Sequence, residues 1–220
     1  MKRIVIGLAL ILCYACGLRS QDLKSLFVAL PDSLSPLLTE VNRADFGDFL
    51  ASNMKAEVKN RFGNISEMTR LTDDYLSVRL TSASTLEMKL LPMNDSVNVV
   101  CVVKTYMAPA ADSKVSFFTS DWKELPAGDY LQLPLETDFY LSPQTEAGKD
   151  SLDNLRSYAD MYLLKAELSA ESPSISFVYS TPDYLDKGTA DELKAYLRSC
   201  PLRYEWSAGK FVRKEDSGNI

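Results

Sequence analysis

The chain has 220 residues, 46% of them hydrophobic and 25% charged, with 30 acidic against 24 basic side chains and no histidine. That size suits one large domain or two small ones. The missing histidine excludes Ser-His-Asp and Cys-His chemistry and removes the commonest nitrogen ligand of zinc, so any catalysis falls to carboxylates, Lys, Tyr or Cys. No run of Lys or Arg follows a phosphate backbone, which excludes nucleic acid as a partner, and no motif calls for a cofactor or a metal.

The opening MKRIVIGLALILCYACGLRSQD sets Lys2 and Arg3 before the apolar run Ile4 to Ala15. This is the charged n-region and short h-region of a secretory signal peptide. The run is interrupted at Arg19, short of the roughly 20 apolar residues that a membrane-spanning helix needs. Residues 1–20 are therefore read as a cleaved signal and 21–220 as a single α+β domain, located in the periplasm or on the cell surface. Ala15-Cys16 offers lipid attachment as the lesser alternative, since Cys13 and Tyr14 depart from the usual lipoprotein pattern. The mature chain would carry 21 Lys and Arg against 30 acids, a net charge of −9. Its two cysteines, Cys101 and Cys200, are read as free or buried thiols, although an oxidising compartment would permit a disulfide.

Leu23, Leu26, Phe27 and Leu30 have helical spacing up to Pro31. Phe46, Leu50, Met54, Val58 and Phe62 then recur every four residues, with Phe49 widening the stripe. The pattern predicts a helix capped at Asn42, with Asp45 in its first turn and Gly63 as its stop. The period next becomes two. Leu76, Val78 and Leu80, then Leu86, Met88 and Leu90, define a hairpin across the linker Ser82-Ala83-Ser84. VNVVCVVKTYM is apolar at nearly every position, as in a central strand covered on both faces, and KVSFFTSDW follows as the next strand.

Residues 126–149, rich in Pro and Gly, form a connector or long functional loop between sub-halves 21–125 and 150–220. Beyond it, Asp150 caps a predicted helix over 151–160. Tyr162, Leu164, Ala166 and Leu168 alternate, as do Ile175, Phe177 and Tyr179. TADE at 189–192 reads as a capping box before Leu193, Tyr196 and Leu197, and LRYEWSAGKFVRK as a closing hairpin. The whole predicts an α+β fold: a mostly antiparallel sheet with helices packed on one face, its two halves following a similar helix-plus-meander plan.

Several stretches together, LPDSLSPLLTEVNRADFGDF, LTDDYLSVRLTSASTLEMKLLP and VCVVKTYMAP with KVSFFTSDWKEL, resemble a family of exported Bacteroidales proteins, domain of unknown function 3256. The resemblance implies an envelope location and brings no activity or catalytic residues. It also implies O-glycosylation as a modification, at Asp-Ser pairs followed by an aliphatic residue: Ser33, Ser96 and Ser151. The same pairs are ordinary turn and cap chemistry.

The candidate catalytic residues are Asp121, Asp129, Glu136 and Asp138, with Trp122 and Tyr140 as candidate ligand-binding aromatics. Paired acids with flanking aromatic faces are how glycosidases are built. Acids at loop starts are also ordinary in an acidic protein, and none of these stretches matches a calcium loop. The favoured reading is therefore a non-enzymatic envelope protein, a binding or assembly module for an envelope protein or glycan. The alternatives are a carboxylate-dependent hydrolase acting on glycans and an inhibitor-like domain that presents a concave sheet face.

Overall fold

A computed structural model describes residues 22–94 and 97–214. The opening segment with Cys13 and Cys16, and Ser96 with its candidate glycan, lie outside the described residues. Helix α1 (Leu23–Val28) is capped by the Asp22 carboxylate and buries Leu23, Leu26 and Phe27. Helix α2 (Glu40–Ala51) begins at a reciprocal cap: Thr39 Oγ1 accepts from the Asn42 N–H, and Asn42 Oδ1 accepts from the Thr39 N–H, both at 3.1 Å. Arg43, almost fully buried, ties the two helices together by donating to the carbonyls of Val28 and Leu38 and to Asp32.

The predicted 46–62 helix is corrected here. Thr39, not Asn42, is the cap, and the helix ends at Ala51, where Asn53 turns the chain with φ +54°. Met54 and Phe62 are exposed, and Val58 is buried by strand alternation in β1 (Glu57–Lys59). The four-residue spacing runs through a helix, a turn and a strand without belonging to one face. Gly63, with φ +82°, belongs to the β1–β2 turn rather than to a helix end. The buried Asn60 side chain builds that turn by accepting from the N–H groups of Phe62 and Asn64.

Seven strands follow in a continuous antiparallel meander: β1, β2 (Ile65–Leu71), β3 (Tyr75–Thr81), β4 (Ser84–Pro92), β5 (Asn98–Met107), β6 (Ala111–Phe118) and β7 (Glu124–Leu125). Strand β5 is covered on both faces, as its composition predicts. Val100 and Val102 point to the side of α1 and α2, where Phe27, Phe46, Leu76, Val78, Leu86 and Met88 pack. Val99, Cys101 and Val103 point the other way, into a second core. The opposite wall of that core is a four-stranded antiparallel sheet in the order β11-β10-β9-β8. Its strands are β8 (Leu164–Leu168), β9 (Ser174–Tyr179), β10 (Leu202–Ser207) and β11 (Lys210–Arg213), and it contributes Leu164, Ala166, Ile175, Phe177, Leu202, Tyr204 and Phe211. The layers are thus helices, large sheet and small sheet, an α+β fold.

Between the sheets runs the connector, with a short helix α3 (Ala127–Tyr130) and a 3-10 turn over Glu136–Phe139; Leu131 and Phe139 plug it into the inter-sheet core. Helix α4 spans Glu146–Arg156 and is capped by Thr145, five residues before the predicted Asp150. Helix α5 spans Lys187–Lys194 and is capped by Asp186, whose carboxylate accepts from two backbone N–H groups, so the TADE box is not its start. In both cases the earlier acceptor reaches the first turn and the helix begins there. Cys101 is buried and Cys200 exposed, and both are free thiols; burial pushes the Cys101 thiol pKa upward.

Phe46 and Phe62 separate the two descriptions of this region. Phe46→Ala should cost about 3–5 kcal/mol in denaturant unfolding, as for a fully buried ring. Phe62→Ala, at a site 74% exposed, should stay within about 0.5 kcal/mol of the parent. A large loss at Phe62 would reinstate the continuous stripe.

Candidate functional site

Two of the clefts among the described residues open where the small sheet meets the large sheet and the connector. The first, of about 420 Å³, lies beside the β8 edge and is lined by Arg70, Tyr75, Glu87, Glu167, Ser176 and Arg203, among others. Strand alternation turns Glu87 and Lys89 of β4 away from the helices and towards the small sheet. Glu87 Oε1 accepts from the Tyr75 hydroxyl at 2.6 Å, and Oε2 accepts from the Leu168 N–H at 3.1 Å. Burial raises the Glu87 pKa above the usual carboxylate range, against the opposing pull of those two donors. Burial likewise raises the Tyr75 phenol, helped by its bond to Glu87. The fully buried Lys89 pairs with Asp74 at 2.9 Å and donates to the Ala170 carbonyl, fixing the β8–β9 hairpin to the large sheet. Both acceptor oxygens of Glu87 are taken by the protein itself. The cluster docks one sheet on the other.

The second cleft, of about 530 Å³, runs along the whole of β11. Its far wall is the connector from Gly128 to Leu135, with Asp138 at one end. It adjoins an apolar hollow of about 440 Å³ lined by Val115, Ala127, Leu131 and Leu133. Leu133, Leu135 and Val212 are exposed large apolar side chains on this rim. Tyr130 stacks in parallel on Trp206 at 6.2 Å, and the Trp206 indole N–H donates to the Pro92 carbonyl at 2.7 Å, which braces the hairpin against the large sheet.

The four candidate acids fall in separate places. Asp121 sits in the turn after β6, exposed, paired with Lys123 and accepting from Thr119, contacts that lower its pKa. Glu136 is engaged by Arg156 through two parallel bonds, Nε at 3.1 Å and Nη2 at 3.2 Å. Asp138 accepts from the Leu135 N–H and pairs with Arg213 at 2.9 Å; these contacts outweigh its desolvation and lower its pKa. Asp129 lines the β11 cleft with Asp138, and among the described residues its carboxylate has no ion-pair partner.

The candidate aromatics are packed. Trp122, with φ +62°, lies against Phe118 in the helix-side core, away from the acids of the cleft. Tyr140 donates to the Tyr179 hydroxyl and carries the Arg156 guanidinium over its ring at 5.2 Å. Of the candidate modified residues, Ser33 is exposed beside Asp32, which Arg43 and Arg61 hold, while Ser151 is exposed within α4 and donates to the Ala147 carbonyl. No group of three or more metal-ligating side chains forms among the described residues.

Sequence reasoning did not place Glu87, Lys89 or the predicted closing strand β11 at a site. Glu87 and Lys89 alternate with Leu86, Met88 and Leu90 and so look like a solvated face. The one clue to β11 was the closing hairpin, of which it is the second strand.

An α+β chain of two facing antiparallel sheets with a groove along the β11 edge of the smaller one is the class this geometry defines. Residues 15–211 match the family described as proteins of unknown function, DUF3256, and the chain belongs to that family. Among solved structures it is similar to a domain of an uncharacterized protein from Porphyromonas gingivalis W83, with a TM-score of 0.76 and 27% identity over 87% of this chain and 98% of that one. No curated protein matches the chain.

The Glu87 environment sets a pH signature. Its folded-state pKa is raised, so the folded protein holds this proton more tightly than the unfolded chain does. The contribution to stability is greatest below the ordinary carboxylate value, about pH 4, and is lost as pH rises through the raised folded value. Unfolding measured from pH 4 to 8 should show the parent losing stability relative to Glu87→Gln as pH rises, then running parallel to it. A difference that does not change with pH would remove Glu87 from the linkage.

Proposed function

We propose that this protein is an exported envelope protein that works by binding rather than by breaking bonds. It would act in the periplasm or on the cell surface, with lipid attachment at Cys16 as the lesser route. The opening signal-like segment supports export. The observation that carries the binding reading is the groove along β11 with its adjoining apolar hollow, edged by Leu133, Leu135 and Val212. Together they fall in the range of recognition sites, and exposed apolar side chains gathered at one concavity mark a surface that a partner covers.

The acids favour binding too. Glu136 and Asp138 are neutralised by Arg156 and Arg213, which suits scaffold and charge balance better than proton donation to a leaving group. A partner protein fits this rim better than a glycan does. Its exposed side chains are branched aliphatics, whereas Tyr130 and Trp206 are stacked on each other rather than presented singly for a sugar ring.

Position-specific photo-crosslinking in intact cells tests this reading. A benzophenone amino acid at Leu133 or Val212 should give one discrete product, and the same probe at Val41, exposed on α2 across the large sheet, should give none. Equal labelling at all three positions, or no product from the groove, would sink the proposal.

A further inference from the structure

The two edges of the small sheet are treated differently. Along β8, the outward N–H groups of Leu164, Ala166 and Leu168 are taken by Asp112, Ser113 and Glu87 of the large sheet, at 3.3, 2.9 and 3.1 Å. Strand β11 is the other edge. The Lys214 N–H donates to the Arg203 carbonyl at 2.8 Å, and the register pairs Glu205 with Val212 and Ser207 with Lys210. Antiparallel ladders alternate, so the backbone groups of Lys210 and Val212 point inward to β10 and those of Phe211 and Arg213 point outward. No described residue hydrogen-bonds to those outward groups. All four residues of β11 line the 530 Å³ groove, so its open donors and acceptors belong to the groove wall.

We propose that the β11 edge takes an extended peptide segment of another protein as a fifth strand of the small sheet. This rests on the reading of the groove as the binding surface and names what enters it. An added strand lies about 4.8 Å from β11, bonded to Phe211 and Arg213, with alternate side chains on its two faces. The inner ones meet the apolar wall of Leu131, Leu133 and Leu135. The outer ones lie beside Lys210 and Val212. Arg213 and Lys214 are paired with Asp138 and Glu205, whereas the Lys210 ammonium has no ion-pair partner among the described residues. The segment that fits carries an acid beside Lys210 and apolar residues at the inner positions and beside Val212. A second copy of β11 fits poorly, because full antiparallel overlap sets Lys210 against Arg213 or Lys214, and like charges directly opposite are unfavourable. Short length and a lysine are devices that blunt a sheet edge. This edge also carries an apolar trough along its length, which blunting alone does not call for.

Amide hydrogen exchange followed residue by residue by NMR tests the proposal. The probe is the synthetic peptide acetyl-Thr-Glu-Val-Leu-Val-Thr-amide, with two twins N-methylated at alternate amides of opposite parity. At saturation the Phe211 and Arg213 amides should exchange at least about tenfold more slowly, while Val212, already bonded to β10, serves as the internal control. One twin should bind and the other fail, and Lys210→Glu should weaken the acidic peptide. If both twins bind equally, the groove binds side chains without strand pairing: this proposal fails and the binding reading stands. If no peptide slows Phe211 and Arg213 up to millimolar concentration, strand addition is wrong, and the crosslinking pattern alone decides the binding reading. If the protein alone dimerises by light scattering with those two amides already protected, the occupant is a second copy and the proposal is overturned.

Discussion

Three backbone donors hold this fold in register. Leu164, Ala166 and Leu168 lie on an edge strand of the small sheet, and their outward N–H groups would be stranded where that sheet packs on the large one. Asp112, Ser113 and Glu87 receive them one by one. A buried unpaired N–H costs roughly 1–3 kcal/mol, so each acceptor removes a penalty that hydrophobic packing alone would leave in place. Hydrophobic contact is non-directional and would tolerate sliding of one sheet over the other. These bonds are directional, and they repeat at the two-residue spacing of a strand. They select one translation and one tilt for the small sheet, and with it the position of every loop the sheet carries.

The same constraint explains why charged residues sit inside. Glu87 and Lys89 occupy the face of β4 that an isolated meander would expose. The small sheet covers it, and each group keeps partners: Glu87 with Tyr75 and Leu168, Lys89 with Asp74 and the Ala170 carbonyl. Buried charges are tolerated only when paired and hydrogen-bonded, and here the partners come from both sheets. The network is therefore specific to the docked arrangement. The Thr105–Ser113 hydroxyl pair, at 2.8 Å, repeats the logic further along β8, where Ser113 also receives Ala166.

What could be read in the sequence follows from which signals are local. Strand β5 announced itself, since alternating cores on two faces leave no polar position between Val99 and Val103. The hairpins at Ser82-Ala83 and Ser207–Gly209 were visible in turn residues flanked by two-residue periodicity. The stripe from Phe46 to Phe62 misled because a spacing of four is also two strand repeats, and only Asn53 in the left-handed region separates helix from strand. β2 escaped notice because ISEMTRL buries Ser66 and Met68 between polar residues. The groove was less legible still. Asp129 and Asp138 were marked as acids with aromatic neighbours, but their facing wall comes from Lys210 to Arg213, far along the chain. Nothing local in either stretch encodes that meeting.

The two edges of the small sheet are treated in opposite ways. Along one edge the protein's own carboxylate and hydroxyl groups accept from the outward N–H groups. The other, β11, lies beside a trough of leucines, and no described residue bonds to its outward backbone groups. Closing β11 would have required only acceptors on the connector facing Phe211 and Arg213, and the connector does carry an acid at the right end. Asp138, however, turns to the Arg213 side chain and the Leu135 N–H instead. Through those contacts Asp138 ties the connector to the end of β11 and forms one end of the groove. The acid marked in the sequence as a catalytic candidate thus sits at the end of the groove with its charge met by Arg213.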